Sequence, residues 1–324
     1  MPEGAPDFAP LDPLKFKDPF VTARGETRAW VELVHLETLW FNTGSLCNIQ
    51  CAHCYMDSGP KKDDLAYLSA AHVRTFLDEI QARALPTRDI GFTGGEPFLN
   101  KDLPAMLDDA LGRGFRVLVL SNAMKPLWQK RAALLALQAT HGAQRVRERL
   151  TVRVSIDHPD AAIHERERGP DTWAPMERGV KWLIANGFRV DVAGRALYSA
   201  NEAETRRAYQ TLFDRWGLAL DAQDPARLVL FPEMDAAQDV PEITTACWDL
   251  LQVRPDAQMC ASARMVVLRK GAAAPHVTPC TLLPYDRAFD LGETLAAAAQ
   301  DVRLNHPHCA KFCVLGGASC AAGG

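Results

Sequence analysis

Six short apolar runs alternate with helical patterns between residues 35 and 234, and that alternation commits the chain to parallel βαβ units. The strand segments are 35–42, 89–93, 115–122, 151–157, 188–195 and 227–234. The helical segments are 69–84, 101–113, 126–148, 172–186 and 201–216, the fourth closing on Asn186-Gly187 as a C-cap. Six such strands either curve into an incomplete barrel or form an open, doubly wound sheet, and periodicity alone does not choose. In both, the C-terminal ends of the strands make the active face. Polar residues collect there: Asn42 and Thr43, Gly94 and Gly95, Ser121 and Asn122, Asp157 and His158, Arg195, and Glu233. Ser155 and Asp157 are two apart on one strand and share a face.

Three regions follow from this pattern: an N-terminal extension (1–35) rich in proline and charge, the α/β region (36–239), and a small cysteine-rich module (240–324). In the module, 265–284 reads as a strand, a turn and a return strand, and a short helix is expected near 293–300. Its poor apolar content suggests that a metal holds it together. Acidic residues outnumber basic ones by 40 to 36, and no basic stripe appears, so the charge gives no reason to expect a nucleic-acid partner. The start lacks the apolar core of a secretion signal, and no apolar run is long enough to span a membrane. A cytoplasmic enzyme is the expectation.

Nine cysteines are distributed unevenly: three between Cys47 and Cys54, six between Cys247 and Cys320, and none between those groups. Clustering at both ends argues for two metal sites. In Cys47-x3-Cys51-x2-Cys54, soft thiolates suit iron–sulfur or zinc. Zinc sites usually pair their ligands and add two more nearby; here no fourth cysteine is close, and His53, between two thiols, is poorly placed to share their metal. Three ligands leave one iron of a cubane open to a small chelating ligand. Cys247, on an expected helix, reads as a buried core thiol.

The spacing C-x3-C-x2-C followed by Tyr55, together with Thr93-Gly94-Gly95-Glu96-Pro97 at the second strand end, resembles the radical S-adenosylmethionine superfamily over roughly residues 36–324. The resemblance implies a partial (β/α)6 TIM-like barrel. It also implies a 4Fe–4S cluster with an open iron on Cys47, Cys51 and Cys54. That iron would bind S-adenosylmethionine, whose reductive cleavage yields a 5′-deoxyadenosyl radical that takes a hydrogen atom from substrate. Tyr55, Gly94, Gly95, Glu96, Pro97, Ser121, Asn122, Ser155 and Arg195 are then expected around that cofactor. Glycines let a backbone approach a ligand, and the arginine fork suits a carboxylate. Asp157, His158 and Glu233 are candidate catalytic groups facing substrate. Ser121 and Asn122 read equally well as helix caps, and His158 as a loop histidine. The segment 164–170, HERERGP, resembles a stretch of peptide-modifying members at Arg168 and Gly169, and reads equally as a charged loop.

Cys260 and Cys280 bracket the expected hairpin, with Cys309, Cys313 and Cys320 behind them. This resembles the SPASM/Twitch auxiliary modules of the superfamily and implies one auxiliary 4Fe–4S cluster; a structural zinc is the alternative. An electron donor such as flavodoxin or ferredoxin is implied as a partner. The roughly 35 residues before the first barrel strand are too few for a leader-binding domain, so a small-molecule substrate is expected. The alternatives are a peptide (RiPP-type) maturase working with a separate leader-binding partner, or a non-catalytic electron-transfer protein.

Overall fold

The computed structural model describes residues 9–196, 201–232 and 235–316. After the short strand β1 (Trp30–Val31), the main sheet is built from β2 (Thr38–Asn42), β3 (Asp89–Thr93), β4 (Arg116–Ser121), β5 (Leu150–Ser155), β6 (Arg189–Arg195) and β7 (Leu228–Phe231). Between them run α1 (Ala70–Ala82), α2 (Leu103–Gly112), α3 (Lys125–Gln129), α4 (Arg131–His141), α5 (Ala143–Arg149), α6 (Ala161–Arg168), α7 (Trp173–Ala185) and α8 (Glu202–Trp216). The six strands are parallel and in chain order, and the sheet is the partial (β/α) barrel, not the open doubly wound alternative. The segment 126–148, expected as one helix, is three: Gly142, at φ 86, breaks it between α4 and α5.

Side-chain alternation sorts each strand into two faces. Leu39, Phe41, Ile90, Phe92, Val117, Val119, Val152 and Val154 pack against the helices in one apolar cluster. The other parity turns inward, where the packing is unlike an all-apolar barrel core. Gly91 lies beside Trp40, in register on the neighbouring strand, and the indole occupies the space that a side chain at 91 would need. Toward the N-terminal strand ends, buried Asp89 and Asp191 pair with more exposed arginines, Asp89–Arg116 at 2.6 Å and Asp191–Arg227 at 2.8 Å, and buried Arg153 donates to the Ala226 carbonyl at 2.7 Å. The bottom of the barrel is thus lined by paired charges, and the cavity with the thiols opens at the end carrying the polar strand-end residues.

The C-terminal region does not stand apart from the barrel. After α9 (Cys247–Leu251), strand β8 (Ala263–Val267) pairs parallel with β2, and β9 (His276–Thr278) returns antiparallel to it, extending the sheet to eight strands. The last strand, β10 (Val302–Arg303), pairs with β1, so the N-terminal extension lies on this region. Buried Arg28 and Glu242 form an ion pair across the same junction. Met259, Ala261, Met265, Val267 and Leu283 share an apolar cluster with Trp40 and Val31. Metal is therefore not the sole support here, contrary to what the sparse apolar content suggested. The helix expected at 293–300 does not form. The N–H groups of Leu295 and Ala296 donate instead to the Glu79 carboxylate on α1, at 2.9 and 2.8 Å. No helix among the described residues is long and apolar enough to cross a membrane.

Two glycine substitutions separate packing from backbone effects. A Cβ at Gly91 would stand 2.2 Å from Trp40, whereas one at Gly112, the last residue of α2, would meet only His141 at 3.7 Å. Gly91→Ala should cost about 1–3 kcal/mol. Gly112→Ala should be neutral or stabilising by up to about 1 kcal/mol. Chemical denaturation of both variants checks this; equal effects would contradict the packing described.

Candidate active site

At the open end of the barrel one cavity lies between the strand ends and the loop that follows β2. Cys47, Cys51 and Cys54 line it together with Gly94, Gly95, Ser121, Asn122, Ser155, Asp157, Arg168 and Arg195. The loop between β2 and α1 brings in the thiols, the end of α6 brings in Arg168, and the ends of β3 to β6 bring in the rest.

The cysteine loop is held by backbone contact. The Gly95 N–H donates to the Gly44 carbonyl at 2.8 Å and the Glu96 N–H to the Leu46 carbonyl at 3.1 Å. A Cβ at Gly95 would fall 2.1 Å from the Leu46 carbonyl oxygen, and one at Gly94, where φ is 136, 2.5 Å from that of Gly44. The glycines are therefore required first by the approach of two protein segments, and not only by a ligand. Glu96 is turned away from the cavity into the wall. Its carboxylate accepts from the Ser121 hydroxyl (2.9 Å), the Asn122 N–H (2.8 Å) and the Phe98 N–H (3.2 Å). Burial pushes the Glu96 carboxyl up to about 7 against those bonds. Pro97, buried, opens the short helical turn that follows. Asn122 extends from this tie toward the thiols: its Nδ2 donates to Asn48 Oδ1 at 2.9 Å and lies 3.9 Å from Cys47 Sγ.

The charged part of the lining is a buried triad. Asp157 pairs with Arg168 at 3.0 Å and with Arg195 at 3.5 Å. Burial pushes the Asp157 carboxyl up, but the two guanidinium groups outweigh it and hold the group below the usual carboxylate range. Arg195 lies over the Tyr55 ring, 4.2 Å from its centroid, and donates to the His53 carbonyl. Its Nη1 is buried without a hydrogen-bond partner among the described residues. The Tyr55 hydroxyl donates to the Pro232 carbonyl at 2.8 Å. Arg168, from the charged segment 164–170, belongs to the cavity and not to a solvated loop. His158 does not line the cavity: its Nδ1 accepts the Asp160 N–H at 2.9 Å in the turn before α6. His53 pairs with Glu167 at 2.8 Å. Glu233 and Cys320 lie outside the described residues.

The thiols suit a metal cluster. Burial pushes Cys47 up to about 12 and also raises Cys51, which Arg168 and Arg195 partly offset. Such thiols hold their protons until a metal displaces them. The Ser58 N–H donates to Cys54 Sγ at 3.4 Å, the kind of bond that tunes a cluster sulfur. Among the described residues no three His, Cys, Asp or Glu side chains are close enough to share a single metal ion. Ligands of a cubane bind different irons and stand further apart. In the C-terminal region Cys260, Cys280 and Cys309 are buried in one apolar cluster. Burial pushes Cys309 well up, and the Cys280 and Cys260 thiols of the same cluster push the same way. Cys313 lies four residues on in the same π-helical turn. Cys247 is half-buried rather than buried, its sulfur accepting the Thr244 N–H at 3.3 Å.

Removing the Asp157 charge would leave two guanidinium groups buried side by side. Asp157→Asn should cost about 3–5 kcal/mol, seen as a lower urea midpoint. Because the folded-state pKa is depressed, the contribution of Asp157 is complete above its unfolded value near 3.8 and is lost as pH falls through the folded one. The variant should therefore show a flatter acid limb. A midpoint and acid limb like those of the wild type would contradict the pairing.

The Radical SAM superfamily profile matches residues 41–204, just over half of the chain. The antilisterial bacteriocin subtilosin biosynthesis protein AlbA of Bacillus subtilis (strain 168) is 24% identical over 260 residues, covering 76% of this chain and 54% of AlbA. The mycofactocin maturase MftC of Mycobacterium ulcerans (strain Agy99) is 26% identical over 174 residues, covering 54% of this chain and 43% of MftC. The chain thus spans about half the length of these curated relatives. Among solved structures, Streptococcus suis SuiB bound to S-adenosylmethionine superposes with a TM-score of 0.56 at 10% identity, covering 80% of this chain and 63% of SuiB; that likeness shows the fold alone. With the three-thiol loop, the Gly94-Gly95-Glu96-Pro97 strand end and the partial barrel in one arrangement, the profile match establishes that the chain belongs to the radical SAM superfamily.

Proposed function

We propose that this chain is a radical S-adenosylmethionine enzyme that modifies a peptide. The observation that carries the reading is the single cavity shared by Cys47, Cys51, Cys54 and the Asp157–Arg168–Arg195 triad. Cys47, Cys51 and Cys54 would hold a 4Fe–4S cluster, and Gly94, Gly95, Ser155 and Arg195 line the space beside it for S-adenosylmethionine. Once bound, the pair supplies a strongly oxidising carbon radical for hydrogen-atom abstraction. The protein binds, orients and shields. Asp157 fixes Arg195, whose free Nη1 suits a carboxylate oxygen. Tyr55 and the barrel wall exclude water. Asn122 and Ser58 donate toward the cluster thiols.

The peptide assignment replaces the small-molecule substrate expected from the sequence. It is supported by similarity to AlbA, a bacteriocin biosynthesis protein, and to MftC, a maturase. An auxiliary 4Fe–4S cluster on Cys260, Cys280 and Cys309, with Cys313 beside them, is part of the same reading, as is a small protein electron donor.

Cys51→Ala should reduce 5′-deoxyadenosine formation by the anaerobically reconstituted protein with dithionite to the no-enzyme background. Retained formation would overturn the cofactor assignment. Short peptides encoded beside the gene should lose hydrogen, detectable by mass spectrometry, only with the intact enzyme; coupled turnover of small molecules but of no peptide would overturn the substrate assignment.

A further inference from the structure

The charges lining the cavity belong together near the first thiol group: Asp157, Arg168 and Arg195 all act on the Cys51 thiol and are paired among themselves. The C-terminal region contributes a different stretch of lining, namely Thr281 and Leu282, directly after Cys280, and Phe312, between Cys309 and Cys313. Phe312 stacks on Phe231 of β7, with centroids 5.9 Å apart and planes at 27°, and Phe231 meets Tyr55 edge-on at 5.5 Å. The side chains of Leu282, Phe231 and Phe312 carry no charge. Thr281 is buried, and its Oγ1 has no hydrogen-bond partner among the described residues. A buried hydroxyl in that state is destabilising unless a ligand completes the bond.

We infer that this wall receives an uncharged, apolar side chain of the substrate against Phe231 and Phe312, while Thr281 Oγ1 hydrogen-bonds a polar backbone group next to it. A charged group there would be desolvated against aromatic and aliphatic carbon with no counter-charge on this wall, since Asp157, Arg168 and Arg195 stand together by the first thiol group. Apolar selection rests on the lining alone; that the side chain belongs to a peptide rests on the reading above. Phe312 rides on the segment that carries Cys309 and Cys313, so the fold of the second thiol group sets the width of the pocket.

The test uses the full-length, cluster-loaded protein with S-adenosylmethionine. Two probe sets are measured by equilibrium dialysis: short peptides identical except for Leu, Phe, Lys or Asp at one position, and the N-acetyl amides of the same four residues. Leu and Phe probes should bind at least about tenfold more tightly than Lys or Asp probes. Thr281→Val should weaken every probe by about 3- to 10-fold while keeping their order. Phe312→Leu should move the preference from Leu toward Phe by about tenfold, and Phe231→Leu offers the same reading from the other ring if the first variant does not fold. Equal binding of charged and apolar probes, or an unchanged order in a folded Phe312 or Phe231 variant, overturns the inference. Discrimination among the amides without any tighter binding of the peptides keeps the apolar wall and removes the peptide reading. No binding of any probe to a protein that still cleaves S-adenosylmethionine removes the wall and leaves the radical chemistry standing.

Discussion

The cavity depends on how closely two backbone segments approach. Gly94-Gly95 at the end of β3 lies directly on Gly44–Leu46, the stretch that leads into the first cysteine, and carbonyl oxygens occupy the positions that Cβ atoms would take. The hydrogen bonds made there aim the thiol loop across the barrel mouth. Glu96, next in sequence, carries the same restraint sideways by binding Ser121 and Asn122 at the end of β4, and Asn122 reaches back to Asn48 and Cys47. Two strand ends and the thiol loop are thus one hydrogen-bonded unit before any cofactor arrives, the preorganisation that a reactive intermediate demands.

Beside that scaffold stands a concentrated charge. An isolated guanidinium would be costly in this setting, and two would be worse. Asp157 between Arg168 and Arg195 makes the arrangement tenable and leaves one donor of Arg195 unused at the cavity. The same rule governs the opposite end of the barrel, where buried Asp89 and Asp191 pair with Arg116 and Arg227. Along the barrel axis the buried carboxylates Asp89, Asp157 and Asp191 each face an arginine, while the wall built by the C-terminal region is apolar apart from the hydroxyl of Thr281.

Much of this was legible in the sequence. Period-two alternation put Ser155 and Asp157 on one face, and both line the cavity. The apolar runs marked all six strands because parallel strands are buried on both sides. What was hidden depends on tertiary contact. Nothing local shows that the Glu96 carboxylate turns to β4, or that the N–H groups of Leu295 and Ala296 find Glu79 and forgo a helix. Arg168 stood out in the sequence through the likeness of 164–170 to peptide-modifying members, but its pairing with Asp157 from another element was not legible there. Thr281 and Phe312 reach the cavity because β8 docks beside β2, a parallel pairing across more than two hundred residues. Of the two readings of His158, the loop histidine is the one the geometry favours, its ring held by the Asp160 N–H in the turn before α6.

The central claim is that two separate thiol groups, Cys47–Cys51–Cys54 and Cys260–Cys280–Cys309 with Cys313, each carry an iron–sulfur cluster on one continuous sheet. Its most direct test is the iron and acid-labile sulfide content of the anaerobically reconstituted protein, compared with that of a Cys260→Ala/Cys280→Ala variant. The account predicts about eight irons per chain in the wild type and about four in the variant, as two cubane clusters and one require. About four irons in both proteins would contradict the second cluster, and none in either would contradict the account as a whole.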